Sequence, residues 1–211
     1  ERERIGVLLA GQRDPEDWAT PAAEVDFFDL RAVVERLIAL TRDAASFRFE
    51  RCEHPVLHPG QSARVIRSTA AGDVEVGVLG CLHPELQAQL DLARPVFLAD
   101  LDLQELRARR APRHEGLSRF PSVRRDIAIE LDATIPAARV EAAVREAGGE
   151  DVVAVRLFDV YQGDRLPAGR RSLALGVVMQ HPERTFLDAE TAAIVERIVD
   201  ALGATLGAVR R

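Results

Sequence analysis

The chain has 211 residues, 47% of them hydrophobic, enough for one large domain or two small ones with packed cores. All 28 basic residues are arginine and they face 34 acids, a net charge of −6; this argues against bulk electrostatic binding to nucleic acid and leaves any phosphate contact to locally placed Arg. The balance is uneven, net −5 over residues 1–111 and −1 over residues 112–211. No apolar run approaches the roughly 18 residues of a membrane span, and no secretory signal is visible. Two cysteines, Cys52 and Cys81, do not make a disulfide scaffold, so a reducing, cytoplasmic setting is expected. The start at Glu1 rather than Met reads as a fragment or a processed chain.

The first half opens with a short apolar strand over residues 4–10. A polar loop follows, then a helix over Phe27–Leu40 with Asp29 as N-cap and Leu30, Val33, Val34, Leu37 and Ile38 as its apolar stripe. Strands are predicted at Phe47–Cys52, Ala63–Arg67, Val74–Cys81 and Val96–Leu103, with a short helix at Pro84–Leu92. Together they suggest an antiparallel α+β module over residues 1–110. Residues 107–118, charged and punctuated by Pro112 and Gly116, mark a boundary.

Over 118–211 the order is strand (Asp126–Leu131), helix (Pro136–Ala147, Gly148 just past its end), and two strands (Val152–Tyr161, Arg171–Gln180). A helix (Asp188–Leu202, Asp188 as N-cap, Gly203 as stop) and an edge strand within Thr205–Arg210 complete it. This β-α-β-β-α-β order is the ferredoxin-like arrangement, with its first and third strands central, two helices on one sheet face and the other face open. Alternation sends Ile127, Ile129 and Leu131 to the helices and Asp126, Ala128 and Glu130 to the open face, with Ala174, Gly176 and Val178 beside them. Small residues at Ala128, Ala174 and Gly176 make a shallow surface that another molecule, or a neighbouring domain, can approach closely.

The Val152–Met179 hairpin concentrates unusual chemistry: Phe158, Asp159 and Tyr161 on one arm, Arg165, Arg170 and Arg171 at or beyond the loop. Val153, Val155 and Leu157 alternate as its core positions. Strict alternation then puts Phe158 opposite Asp159 and Tyr161, and all three share a face only if the strand bulges. Elsewhere, Cys52, His54, His58, Cys81 and His83 are spaced unlike a zinc pattern, and no metal site is expected. Phe47-Arg48-Phe49-Glu50 mimics an ATP-phosphate-binding signature, but no glycine-rich, arginine-ending companion motif accompanies it, and two inward Phe and two outward charges on a strand account for it, so the match is read as accidental. No nucleophilic triad or phosphate loop is present.

Four stretches, RFPSVRRDIAIEL (119–131), VRLFDVYQG (155–163), RRSLAL (170–175) and ERTFLDAE (183–190), resemble the ferredoxin-fold anticodon-binding domain that closes bacterial phenylalanyl-tRNA synthetase β subunits. VDFFDLRAVVERLIAL (25–40), HPVLHPGQSARV (54–65) and GVLGCLHPELQAQLDL (77–92) resemble the region just upstream in those subunits. The resemblance implies a synthetase-like but catalytically inert module followed by a tRNA-gripping domain. It implies a synthetase α subunit and the rest of the β subunit as partners, and ATP and magnesium for the whole enzyme but no cofactor in this fragment.

On that footing Asp159 is the candidate acceptor for the two donors on the Watson–Crick edge of the guanine that begins a phenylalanine anticodon. Phe158 and Tyr161 are candidate stacking aromatics, and Ala128 a floor against which a base can lie. Their structural alternatives are a turn-capping Asp, core or hinge aromatics, and a small residue under a loop. Arg124, Arg125, Arg170, Arg171 and Arg184 are candidate phosphate contacts, Arg125 with the alternative of an ion pair to Asp126. A purely structural assembly module and a ferredoxin-like small-molecule sensor are the competing functions.

Overall fold

In the computed structural model, which describes residues 2–109, 111 and 118–211, alternating apolar residues build two antiparallel sheets, each with its own core. The chain divides into two compact units, residues 1–114 and 115–211. Most of the boundary predicted at 107–118 lies outside the described residues.

The first unit is a five-stranded sheet of β1 (Arg4–Ala10), β2 (Phe47–Arg51), β3 (Leu57–Thr69), β4 (Gly72–Leu82) and β5 (Val96–Asp102), in the order β1-β5-β4-β3-β2. Helix α1 (Phe27–Ala39) lays Leu30, Val34 and Ile38 on one face, against Val65, Leu79, Phe97 and Leu101. Two short helices, α2 (Pro84–Gln89) and α3 (Leu103–Arg107), follow β4 and β5; α3, whose Leu106 is buried, is too short for its period to show in sequence. The α1 cap is Asp26 rather than Asp29. Asp26 accepts from the Phe28 and Asp29 amides, and Asp29, at the third helical position, accepts from the Asp26 amide, a reciprocal capping box.

The second unit contains β6 (Val123–Asp132), α4 (Ala137–Gly148), β7 (Val152–Tyr161), β8 (Arg170–Met179), α5 (Asp188–Leu206) and β9 (Val209–Arg210). Its sheet order, β7-β8-β6-β9, puts the first and third strands of the unit at the centre, as ferredoxin-like topology requires. Both helices cover one face. Ile127, Ile129, Leu131, Leu173, Leu175 and Val177 pack there against Val140, Val144, Ile194, Ile198 and Leu202.

Details of the second unit also differ from the sequence expectations. Val153 is exposed, because a register shift between Val152 and Ala154 moves the core positions to Val152 and Val155. Helix α4 includes Gly148 and ends at Gly149, whose φ of 65° only glycine adopts readily. Helix α5 starts with Leu187 as N-cap and runs through Gly203 to Gly207 (φ 60°), because Leu206 continues the apolar stripe one turn past Leu202.

Several surface carboxylates are held below the usual range in the folded state: Glu50 and Asp73 by hydrogen bonds from Arg48, Glu190 by one from Arg184, Asp132 by the Thr134 hydroxyl, and Asp29 by the Asp26 amide. A depressed folded-state value favours folding above the unfolded-state value and is lost as pH falls through the folded one. The melting temperature is therefore expected to fall as the pH drops from about 5 to about 3. A melting temperature flat across that window would show these contacts to be thermodynamically silent.

Candidate nucleic-acid interface

The open face of the second sheet is organised in rows across β6, β8 and β7. Directly paired residues point to the same side, so the pairing gives each row. Ala128 pairs with Ala174, and Ala174 with Asp159. The carboxylate thus stands at the end of a two-alanine floor, with strands spaced about 4.8 Å apart. On one side runs the row Asp126, Gly176, Arg156; on the other, Glu130, Ser172, Tyr161.

The bulge that the hairpin chemistry requires is present. The β7–β8 register shifts between Leu157, paired with Leu175, and Asp159, paired with Ala174, leaving Phe158 as the extra residue. Leu157 therefore stays on the helix side while Asp159 and Tyr161 move to the open face. Phe158 joins them there, with the Arg124 guanidinium carbon 5.1 Å from its ring centroid. Phe158 is 53% exposed and Tyr161 37%. The Tyr161 ring lies against Gly163, where an added Cβ would meet its hydroxyl at 2.9 Å. A side chain at 163 would thus push the ring away.

The five predicted phosphate-binding arginines separate, because adjacent residues on a strand face opposite ways. Arg124 and Arg170 are on the open face, tied to Asp126 at 2.7 Å and Glu130 at 3.0 Å. Arg125 and Arg171 point to the helix side, and Arg184 lies in the segment between β8 and α5. Arg125 reaches Asp188 at 2.7 Å rather than pairing with Asp126. Arg171 donates to the Ile135 carbonyl at 2.5 Å, with its Nε buried and unpartnered. Arg184 pairs with Glu190 beside the buried Phe186. Arg125, Arg171 and Arg184 are thus not placed to meet a ligand on the open face.

Arg156, absent from the predicted set, is exposed on the open face, with no hydrogen-bond or ion-pair partner among the described residues. Alternation already marked it as outward; the concentration of Arg around the hairpin loop drew attention away from it. Asp159 likewise has no partner among the described residues, while the acids in the flanking rows, Asp126 and Glu130, are paired. Among the described residues the face therefore offers a free carboxylate at Asp159, a free guanidinium at Arg156, two aromatic rings and a small-residue floor.

In the first unit the Phe-Arg-Phe-Glu stretch is structural. Phe47 and Phe49 pack on the core side, and the Arg48 guanidinium is taken up by Glu50, Ser68 and Asp73. No group of three or more His, Cys, Asp or Glu side chains able to hold a metal occurs among the described residues. Burial pushes the Cys52 and Cys81 thiols up from their ordinary values. Both are expected to react with iodoacetamide at pH 7 more slowly than a free thiol does. Alkylation at the free-thiol rate would contradict this packing.

Two family models match the chain: Ferredoxin-fold anticodon binding domain over residues 118–211, and Phenylalanyl tRNA synthetase beta chain CLM domain over residues 1–103. The chain is 44% identical over 206 residues to the phenylalanine–tRNA ligase beta subunit of Pseudomonas syringae pv. tomato, covering 96% of the chain and 26% of that protein. It is 42% identical over 208 residues to the beta subunit of Thiobacillus denitrificans (99% of the chain, 26% of that protein). Against the Coxiella burnetii beta subunit it is 39% identical over 200 residues (94% and 25%). The chain thus spans only about a quarter of the length of these curated relatives, and no helix among its described residues is long and apolar enough to cross a membrane. By sequence match and by the strand order of its second sheet, the chain belongs to the phenylalanine–tRNA ligase beta subunit family, joining a CLM domain to a ferredoxin-fold anticodon-binding domain.

Proposed function

We propose that the second unit binds the anticodon loop of phenylalanine tRNA on its open sheet face. Asp159 accepts from the guanine edge, Ala128 and Ala174 provide the floor, and Phe158 and Tyr161 flank the base. The observation that carries this reading is the unpaired Asp159 carboxylate at the end of the alanine row, brought to the open face by the bulge at Phe158. Guanine offers two donors on its Watson–Crick edge and a carboxylate is the matching acceptor.

The action is positional. Gripping the anticodon orients the tRNA so that its acceptor end reaches the active site of the synthetase α subunit, which performs the ATP-dependent charging with phenylalanine. The first unit and the rest of the β subunit complete the assembly, and the setting is the cytoplasm. Few phosphates are neutralised, so the isolated chain should bind weakly and with a shallow salt dependence. The shallow, small-residue face does not favour the sensor reading, which needs a concave apolar pocket.

The test is titration of the chain at low salt with an RNA hairpin carrying the GAA anticodon, beside a hairpin of the same stem with a changed loop. Preferential binding of the GAA loop supports the proposal. Equal binding of the two loops, or none, would overturn it.

A further inference from the structure

We infer that Arg124 is a positioning residue of the anticodon site, which holds the Phe158 ring over the sheet from a slot that Gly176 leaves open; this rests on the reading of the open face given above. Phe158 is the extra residue of the bulge, so it has no partner in the β ladder to fix it. The residue is more than half exposed, and its cation–π contact is with Arg124. The Arg124 guanidinium is itself fixed twice. Its Nε donates to Asp126 at 2.7 Å. It also lies directly over Gly176, where a Cβ would stand 2.8 Å from Nε, 2.9 Å from Nη2 and 3.0 Å from Cζ.

Glycine, guanidinium and ring therefore form layers, and the missing side chain at 176 sets how deep the lowest layer sits. The charge of Arg124 is answered by Asp126 on the same face, so its contribution is a planar cation for the ring to rest on rather than a free phosphate donor. Arg156, exposed and without a partner among the described residues, is the better-placed phosphate contact.

The experiment compares the 211-residue chain with Arg124→Ala, Arg124→Lys, Gly176→Ala and Asp159→Ala. Each is titrated with the GAA hairpin across a salt series, with circular dichroism melts as the folding control. Arg124→Ala and Gly176→Ala are each expected to weaken binding about threefold to tenfold, the size of a cation–π contact, with the salt slope of the parent. Arg124→Lys, which keeps the charge but loses the plane and the Nε that donates to Asp126, is expected to recover at most part of the loss. If Gly176→Ala does not fold, the two Arg124 variants, made on an exposed side chain, decide the case.

A salt slope reduced by about one in Arg124→Ala, with rescue by lysine, would make Arg124 a phosphate contact and overturn the inference. Parent-like binding by the Arg124 variants while Asp159→Ala is impaired overturns the inference alone. A parent that does not bind, or an Asp159→Ala chain that binds like the parent, overturns the reading of the face and the inference with it.

Discussion

Asp159→Ala is expected to weaken binding of the GAA hairpin by about tenfold to a hundredfold, the effect of losing hydrogen bonds to a charged acceptor, about 1.5–3 kcal/mol. The sign is informative. The chain carries a net charge of −6 and RNA is an anion, so removing an acid should strengthen a purely electrostatic association. A loss of affinity on removing negative charge therefore requires a specific acceptor role. Asp159→Asn sharpens this further. It keeps the shape and one acceptor oxygen but presents an amide donor at the other position, where guanine also donates, so it should not restore parent binding. Folding should be largely unaffected by either change, because Asp159 is exposed and supports no ion pair or hydrogen bond among the described residues.

Ala128→Arg is expected to have the larger effect, up to about 5 kcal/mol, because it removes the floor and so both the stacking and the hydrogen bonding of the base. Ala128 sits on a central strand between Asp126 and Glu130, in register with Ala174. A long side chain there covers Ala174 and reaches toward Asp159, two strands away. The added arginine would also satisfy the Asp159 carboxylate in place of the base. Charge alone predicts the opposite, since an added cation on an RNA-binding face strengthens non-specific contact. Loss of GAA-specific binding in Ala128→Arg, measured against the changed-loop hairpin, would separate obstruction from electrostatics. Retained specificity would place the base elsewhere on the sheet.

Much of the second unit was legible because its strands keep a period of two and its helices one of 3.6. Ile127, Ile129 and Leu131 against Asp126, Ala128 and Glu130 assign both faces of β6 without any tertiary information. The bulges were less legible. Nothing in the composition of Val152–Tyr161 shows that Val153 and Phe158 are extra residues; the ladder with β8 decides it. The bulge at Phe158 was nonetheless foreseeable as a condition, since Phe158, Asp159 and Tyr161 cannot otherwise share a face. The placement of the arginines was hidden for a different reason. Arg124 and Arg125, or Arg170 and Arg171, are neighbours in sequence but lie on opposite sides of the sheet, so a cluster along the chain is not a cluster in space. The seat of Arg124 over Gly176 joins two strands far apart in sequence, and no local pattern announces it.

Whether Asp159 reads the first base of the anticodon is decided by a thermodynamic cycle. The cycle pairs the parent and Asp159→Ala chains with hairpins carrying guanine or inosine at that base, inosine lacking the exocyclic amine. If the carboxylate accepts from that amine, the substitution and the base change will be non-additive, with a coupling of about 1–3 kcal/mol. Strict additivity, with guanine and inosine distinguished equally by both chains, would mean that Asp159 does not accept from that amine.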